Sequence, residues 1–487
     1  MTKLLALAIT LATTASAVQK PNIVYILCDD LGYGDVQCLN PERGKIPTPN
    51  IDKLAKAGMT FTDTHGGSSV CTPTRYGILT GRYAWRSRLQ QGVLDGHPEP
   101  LIAAERLTVG ALLKQQGYTT ACIGKWHLGF TLEGNEIKAE KREKPSASGA
   151  AGAAIGTVTK NGPLTRGFDH YYGFNHARTM QALWTGDTVK EQVESTRTLP
   201  ALTRHAASYI HEQAKEKKPF FLYLALNSPH TPIVPAKEWK GKSGLGDYGD
   251  FVMQTDWSVG HVVEAVEKTG IGQNTLVIFT SDNGCSPAAG MDKLQKQGHF
   301  PSAQFRGHKA DIWEGGHRIP FIVRWPGVVK PGSTCAQLTC LTDFMATCAE
   351  IVGAKLPDTA GEDSFSILPL LKGEDKPIRE TLIHHSINGM FSIRTREWKL
   401  ECCPGSGGWS SPKDAEALKE NLPAIQLYNM TMDFKESLNV KAANPAIVDA
   451  MTGQLEAIVE NGRSTPGAKQ ANEVRVTVGK APKEKKK

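Results

Sequence analysis

The chain has 487 residues, of which 40% are hydrophobic and 22% charged, so it exceeds a single small domain and can bury a large core. No interior apolar run is long enough to cross a bilayer, which argues against an integral membrane protein. The formal net charge of +7 is modest, and no nucleic-acid-binding motif accompanies it. Ten cysteines in a chain of this length do not make a disulfide scaffold.

The N-terminus has the pattern of a signal peptide. Lys3 precedes a short Leu/Ala-rich stretch, which ends in Ala-Ser-Ala at 15–17, the small-x-small form of a signal-peptidase site. A buried N-terminal helix is the alternative, but the threonines at 13 and 14 make a poor helix end. We therefore expect residues 1–17 to be removed and the chain to be exported to a periplasmic or extracellular compartment.

Four short apolar segments are predicted to be buried strands. They are Asn22–Leu27, Tyr118–Ile123, Phe220–Leu226 and Thr275–Thr280. After the first of them, a helix is predicted to begin at Thr48 or Pro49 and to stop at Gly58. Similar helical segments precede the other three strands. This alternation predicts a largely parallel α/β sheet.

Unusual polar residues follow each predicted strand. They are Asp29 and Asp30, then Gly124-Lys125-Trp126-His127, then Asn227-Ser228-Pro229-His230, and finally Ser281-Asp282-Asn283-Gly284. Any one of these segments alone reads as an ordinary turn or cap. Because open parallel sheets bind ligands beyond the carboxyl ends of their strands, however, we expect the four segments to converge on one site.

The chain divides into a large N-terminal part and a smaller C-terminal part. A catalytic domain is predicted over 18–372, with a surface insertion at 134–162, where the sequence becomes charged and then Ala/Gly/Ser-rich. Beyond Lys372, extended pieces at Phe391–Arg394 and Trp398–Glu401 and a helical Pro445–Val459 predict a small α+β domain over 373–465. Because five lysines crowd the last eight residues, a disordered basic tail is predicted over 466–487.

The strongest chemical signal lies in the segment Ser69–Gly81, with the sequence SVCTPTRYGILTG. Pro73 suits the first turn of a helix, and Cys71 lies just before it. Since a helix N-terminus attracts anions, a cysteine there beside Arg75 is a candidate nucleophilic thiol with a lowered pKa. A packed cysteine at an ordinary helix start is the structural alternative.

Ser69–Gly81 resembles the maturation signature of the formylglycine-dependent type I sulfatases at every position, and Gly117–His127 resembles the second signature of that family. The likeness continues through Asp29-Asp30, Pro229-His230, Ser281–Gly284 and Lys309 ahead of Trp313–Gly316, so that it covers nearly all of the chain. Two signatures in the family's order are far more specific than one short motif. The resemblance implies an alkaline-phosphatase-like α/β sandwich, with a large mostly parallel mixed sheet between helices and a small C-terminal α+β domain with an antiparallel sheet.

The resemblance also implies the chemistry. A formylglycine-generating maturation enzyme would oxidise Cys71 to formylglycine (3-oxoalanine), whose hydrate presents two hydroxyls. One hydroxyl attacks sulfur, and the other loses its proton to expel sulfate and restore the aldehyde. The implied metal ligands are Asp29, Asp30, Asp282, Asn283 and an oxygen of modified Cys71. An all-oxygen set suits Ca²⁺ better than zinc, and Mg²⁺ stays open.

The other roles that the resemblance implies belong to basic residues. Lys125 and Lys309 would bind sulfate oxygens, and Arg75 would hold the formylglycine hydrate. His127 would be the base that regenerates the aldehyde, and His230 would protonate the departing alcohol. The division of that last role between His230 and Lys309 stays open, since both would lie near the bridging oxygen.

The substrate is predicted only as a class. Export and mild basicity favour a sulfated polysaccharide or oligosaccharide. A phosphate or phosphonate ester hydrolase is the alternative enzyme, because phosphoryl and sulfuryl groups need similar clamps. A silent, exported glycan-binding protein is the alternative if Cys71 is never oxidised.

Some polar residues carry no spacing argument and stay outside the predicted catalytic set. They are the histidines His65, His97, His299, His308 and His317. The loop Cys402–Trp409 resembles a segment of arylsulfatase-like proteins, and it either borders the substrate cleft or forms a Gly-rich turn.

Overall fold

The computed structural model describes residues 20–133 and 153–479. The predicted signal peptide, residues 134–152 of the predicted insertion and residues 480–487 lie outside the described residues. The strands are β1 (Asn22–Asp29), β2 (Met59–Phe61), β3 (Thr64–His65), β4 (Thr119–Lys125), β5 (His170–Phe174), β6 (Ala182–Thr185), β7 (Thr188–Gln192), β8 (Phe220–Pro229), β9 (Thr275–Ser281), β10 (Phe321–Arg324), β11 (Ser333–Cys335), β12 (Thr339–Cys340), β13 (Leu382–His385), β14 (Phe391–Arg394), β15 (Trp398–Glu401) and β16 (Gln426–Asn429). The α-helices are α1 (Pro49–Ala57), α2 (Cys71–Thr80), α3 (Val109–Gln115), α4 (Ser195–Gln213), α5 (Gly246–Lys268), α6 (Met291–Lys296), α7 (Glu314–His317), α8 (Phe344–Val352), α9 (Leu368–Leu371), α10 (Asp414–Lys419) and α11 (Pro445–Asn461).

Ten strands form one large sheet in the order β11-β2-β10-β9-β1-β8-β4-β5-β6-β7. Its centre, from β9 to β5, is parallel, whereas β10, β6 and β7 pair antiparallel with their neighbours. The four strands predicted from apolar runs are the four central ones, β9, β1, β8 and β4. The prediction of a large, mostly parallel mixed sheet is confirmed, and its carboxyl edge gathers the ends of these strands.

Helices cover both faces of the sheet. Alternate side chains of β1 point to opposite faces, so that Val24 and Ile26 pack with residues of α1, α4 and α5. Ile23, Tyr25 and Leu27 instead pack with residues of α2, α3 and α8. Burial on both faces explains why the central strands are continuous apolar runs without alternation. None of the helices in the described part of the chain is long and apolar enough to cross a membrane.

The C-terminal region forms a second, antiparallel sheet in the order β13-β14-β15-β16. Helix α11 packs on this sheet through Met451 and Leu455. Tyr83 and Trp85, which follow α2, enter the same core. The prediction of a small C-terminal α+β unit is confirmed, and residues of the large domain contribute to its core.

Residues 466–479 depart from the predicted disordered tail, because they lie against the large domain. Arg82 Nη1 donates to Glu473 Oε1 over 3.0 Å, and Arg86 Nη1 donates to Asn472 Oδ1 over 3.0 Å. The backbone N–H of Glu473 donates to the carbonyl of Arg86 over 2.8 Å. Buried guanidinium groups need acceptors, and this segment supplies some of them. The lysine-rich part that suggested a tail begins only at Lys480.

Candidate active site

The residues predicted for the site lie together at the carboxyl edge of the central sheet. Asp29 ends β1, Lys125 ends β4 and His230 follows β8 directly. Asp282 and Asn283 follow β9. The order β9-β1-β8-β4 therefore delivers polar side chains from four adjacent strands, as the strand rule predicted.

Pro73 lies in the first turn of α2, as predicted, but Cys71 is the first residue of the helix and does not precede it. The side chain is buried beneath the sheet edge. Burial raises the pKa of the Cys71 thiol, even though Lys125 and Lys309 act to lower it. The prediction of a lowered thiol pKa is therefore wrong, because desolvation of the thiolate outweighs the nearby positive charge.

Arg75 lies one turn after Cys71 and ties three elements together. Its Nη2 and Nε donate to Asp282 Oδ2 over 2.7 Å and 3.1 Å, and its Nη1 donates to the carbonyl of Lys125 over 3.1 Å. Burial acts to lower the pKa of Arg75, but Asp282 and Asp29 outweigh it and raise the pKa above its ordinary value. The guanidinium group is a fixed positive charge between α2, β4 and β9.

The two lysines pair with the two acids that end β1. Lys125 Nζ lies 2.7 Å from Asp29 Oδ2, and Lys309 Nζ lies 2.6 Å and 2.7 Å from the two oxygens of Asp30. With Arg75 and Asp282, the site holds three cations and three carboxylates. A bound divalent cation would make the site net positive, which favours an anionic ester.

Oxygen atoms in the site fit a hard cation. Ligand atoms of Asp29, Cys71 and Asp282 lie within 4.8 Å of one another, and so do those of Asp29, Asp30 and His230. Asp29 Oδ1 and Asn283 Oδ1 are buried without a hydrogen-bond partner. Because buried polar atoms without partners cost free energy, a cation that these oxygens coordinate would stabilise the site.

His127 presents one free nitrogen to the site. Its Nε2 donates to the carbonyl of Leu94 over 2.9 Å, whereas Nδ1 is buried without a partner. Burial, and then the positive charge of Lys125, lower the pKa of His127 well below its ordinary value. The ring is therefore neutral at pH 7, with its lone pair on Nδ1.

His230 lies at the mouth of the site with 14% of its side chain exposed. Nδ1 donates to the carbonyl of Thr231 over 2.5 Å, and Nε2 lies 3.7 Å from Asp30 Oδ2. Burial lowers the pKa of His230 to about 4. Lys309 contacts the same carboxylate, so both residues adjoin one part of the site.

His176 is a neighbour of the site that was not predicted, and it packs against His127 with their ring centroids 4.7 Å apart. It follows β5 by two residues. The same strand-end rule would have found it, but β5 was not predicted, because its sequence HYYGF lacks a long aliphatic run.

The histidines left outside the predicted set have other surroundings. His299 Nε2 lies 2.8 Å from Asp35 Oδ1, and His97 packs against Phe130. His308 contacts Ser410. His65 on β3 and His317 at the end of α7 contact each other, apart from the predicted site residues.

The loop Cys402–Trp409 adjoins the segment that carries Lys309. The backbone N–H of Trp409 donates to Asp311 Oδ1 over 2.8 Å, and that of Ile312 donates to the carbonyl of Ser406 over 2.8 Å. Trp409 is 42% exposed. Of the two interpretations of this loop, its contacts favour the one at the border of the site.

Paired acids at the carboxyl edge of this sheet, with buried cations around the N-terminus of α2, suit a hydrolase of anionic esters. The family model described as Sulfatase matches residues 21–354, and the chain belongs to the sulfatase family. A second model, N-sulphoglucosamine sulphohydrolase, C-terminal, matches residues 308–403. The chain is accordingly an enzyme that hydrolyses sulfate esters.

Similar proteins cover nearly the whole chain. An N-acetylgalactosamine-6-O-sulfatase of Bacteroides thetaiotaomicron is 32% identical over 504 residues, which span 90% of this chain and 93% of that protein. Human arylsulfatase A is 31% identical over 489 residues, which span 94% of this chain and 92% of arylsulfatase A.

Solved structures agree with this family. One from Bacteroides thetaiotaomicron, from work on the metabolism of multiple glycosaminoglycans, has a TM-score of 0.78 at 29% identity and covers 90% of this chain and 99% of that chain. Ps i-CgsB in complex with k-i-k-neocarrahexaose has a TM-score of 0.72 at 27% identity and covers 93% of this chain and 96% of that chain.

Proposed function

We propose that this sulfatase acts through a formylglycine made from Cys71 and removes sulfate from a sulfated polysaccharide or oligosaccharide. The supporting observation is the position of Cys71, at the head of α2 beside Arg75 and against the ends of β1 and β9. A buried, protonated thiol is a poor nucleophile. The hydrate of an aldehyde at this position instead offers two hydroxyls, one for attack and one for release of sulfate.

The residues present fit a bound Ca²⁺ or Mg²⁺. Asp29, Asp30, Asp282 and Asn283 would hold the ion, which would supply positive charge next to the sulfate oxygens. Chelation with EDTA should then abolish sulfate release, and re-added Ca²⁺ should restore it.

The chain's own basic residues complete the proposed mechanism. Lys125 and Lys309 bind sulfate oxygens, and Arg75 steadies the charge beside the nucleophile. His127 takes up a proton at Nδ1, the nitrogen that its bond to Leu94 leaves free. His230 and Lys309 both adjoin Asp30, and one of them would supply the proton to the leaving oxygen.

The proposed substrate class has two supports. Among the similar proteins, one is named N-acetylgalactosamine-6-O-sulfatase, and the structure of another contains a bound k-i-k-neocarrahexaose. In this chain, Trp409 exposes an aromatic ring beside the segment of Lys309, and such a ring stacks well against the apolar face of a sugar. An exported enzyme meets such polymers outside the cell, in agreement with the predicted signal peptide over 1–17.

The test is the mass of the peptide that contains Cys71, from protein produced with a formylglycine-generating enzyme. Conversion should lower the mass by about 18 Da relative to the thiol. Cys71→Ala should abolish sulfate release, whereas Cys122→Ala, a buried cysteine of β4, should keep both the mass change and the activity.

Two outcomes would contradict the proposal. An unmodified thiol in fully active protein from the native source would rule out formylglycine. Faster release of phosphate than of sulfate from esters of one alcohol would indicate the phosphate ester hydrolase instead.

A further inference from the structure

A second cluster of ionisable residues lies apart from the active-site residues, between the large domain and the C-terminal sheet. It consists of His65 on β3, Glu314 and His317 at the two ends of α7, and His384 on β13. All four residues are 0% exposed. One ligand atom from each lies within 4.8 Å of those of the others. The proposed sulfatase mechanism uses none of them.

Two of the histidines are oriented as metal-binding histidines are, with the outer nitrogen held by an acceptor. His65 Nε2 lies 2.8 Å from Asp63 Oδ1, and His317 Nε2 lies 2.9 Å from the carbonyl of Ile312. A carboxylate can only accept, so His65 Nε2 carries the proton and its Nδ1 has a lone pair. His317 Nε2 also lies 3.2 Å from Lys399 Nζ, which can only donate, so the proton of His317 can reside on either ring nitrogen.

The two Nδ1 atoms face each other 3.0 Å apart. With the proton of His317 on Nδ1, the two rings form a hydrogen bond. With that proton on Nε2, two lone pairs face each other, and a cation that both nitrogens bind makes this arrangement favourable. Two nitrogens bound to one tetrahedral Zn²⁺ at ~2.0–2.1 Å lie about 3.3 Å apart, close to the observed separation.

Of the other two members, His384 has unsatisfied atoms. Within the part of the chain that the structure describes, neither of its buried ring nitrogens has a hydrogen-bond partner. Each such atom costs about 1–3 kcal/mol when it is left unpaired. Glu314 Oε1 instead takes part in ion pairs, 3.3 Å from Lys399 Nζ and 3.5 Å from Arg394 Nε. The His384 ring stacks on that of His317, with centroids 3.8 Å apart, so it is already next to the facing nitrogens.

Charged side chains of both signs surround the cluster. The carboxylates are Asp63, Glu314, Glu401 and Glu436, and the cations are Arg306, Arg318, Arg394 and Lys399. Four carboxylates against four cations leave no excess charge, so a bound ion would share the carboxylates with the basic side chains.

We propose that His65, Glu314, His317 and His384 bind one divalent transition-metal ion, Zn²⁺ by its donor set. Three imidazoles and one carboxylate suit four-coordinate Zn²⁺, whereas Ca²⁺ prefers oxygen ligands, so this site differs in chemistry from that of Asp29 and Asp282. His384 rotates about its Cβ–Cγ bond to direct a nitrogen to the ion. Because the site is buried, the ion enters during folding and joins β3, α7 and β13.

The test is the zinc content of tag-free, full-length protein from zinc-supplemented cells, measured by inductively coupled plasma mass spectrometry after an EDTA wash. Wild type should hold about one zinc per chain, and His384→Gln at least tenfold less. His385→Gln is the matched control, because His385 is the next residue and is equally buried with two unpartnered ring nitrogens. It should keep the zinc, and so should Cys71→Ala, whose residue lies outside the cluster.

Anomalous scattering at the zinc edge, from crystals of the same wild-type protein, tests the proposal without any variant. A peak between His65 Nδ1 and His317 Nδ1 supports it. Wild type without zinc and without a peak overturns it, and so does zinc that His384→Gln retains in full. Neither result depends on whether Cys71 is converted to formylglycine.

Discussion

Single residues of the active site are paired by charge before any substrate enters. Arg75 is bound to Asp282 and Lys125 to Asp29, and all four side chains are fully buried. A buried ion without its partner would cost several kcal/mol, so each pair holds its cation in one place. Such fixed charges stabilise a developing negative charge without reorganisation during the reaction.

Arg75→Lys tests this arrangement with the charge retained. A lysine cannot donate at once to Asp282 and to the carbonyl of Lys125, so the charge beside Cys71 loses its fixed position. We expect kcat to fall about 100-fold. The measurement is the steady-state rate of sulfate release by matured protein.

Arg82→Lys is the control for Arg75→Lys. Arg82 is also buried, but it pairs with Glu362 and Glu473, outside the active site. The Arg82→Lys variant should be less stable than wild type but should keep kcat within about twofold of the wild-type value. Equal rates for Arg75→Lys and wild type would contradict the role of Arg75.

The ends of secondary-structure elements decide where the functional side chains stand. Lys125 is the last residue of β4, and Gly124 before it has a φ of 110°. A Cβ atom on Gly124 would lie 1.8 Å from the carbonyl oxygen of Ala225 on β8. The glycine thus permits the close approach of β4 and β8 at the position that presents Lys125 to the site.

Gly124→Ala should destabilise the protein strongly, because strain at positive φ adds to a clash with backbone that cannot move aside. We expect the free energy of unfolding in urea to fall by about 3 kcal/mol or more. Gly117→Ala, at the turn before β4, is the control. Gly117 has a φ of 89°, and no atom of the described residues lies within 4 Å of the position that a Cβ would take there. Gly117→Ala should therefore lower the free energy of unfolding by only about 1 kcal/mol. Similar losses for both variants would refute the argument from the clash.

Ion pairs join the large domain to the C-terminal sheet. Arg394 of the C-terminal sheet lies 3.0 Å from Asp63, and Lys399 lies 3.3 Å from Glu314. Residues 466–479 then return to the large domain. The C-terminal unit is therefore part of the same folded body as the active site, and not an appendage.

Truncation after residue 465 tests the role of the returning segment. Arg82 would lose Glu473 and Arg86 would lose Asn472, both as hydrogen-bond acceptors for buried guanidinium groups. We expect the free energy of unfolding to fall by about 2 kcal/mol. A chain that ends at residue 479 is the control and should match the full-length protein. An unchanged midpoint of urea unfolding for the shorter chain would show that the segment contributes nothing.

The sequence by itself determined the central strands, the approximate starts of α1 and α2, and the convergence of Asp29, Lys125 and Asp282. These follow from patterns between near neighbours in the chain, because burial on both faces produces continuous apolar runs and parallel strands end at one edge. The sulfatase signatures are equally local. These strands, helix starts and signatures can therefore be predicted before the structure is known.

Only the tertiary structure decided the rest. The raised pKa of Cys71 comes from desolvation by parts of the chain far from it in sequence. The docking of residues 466–479 and the meeting of His65, His317 and His384 depend on contacts across some 70 to 400 positions. Desolvation and long-range contact are properties of the folded interior, and no pattern between neighbouring residues records them.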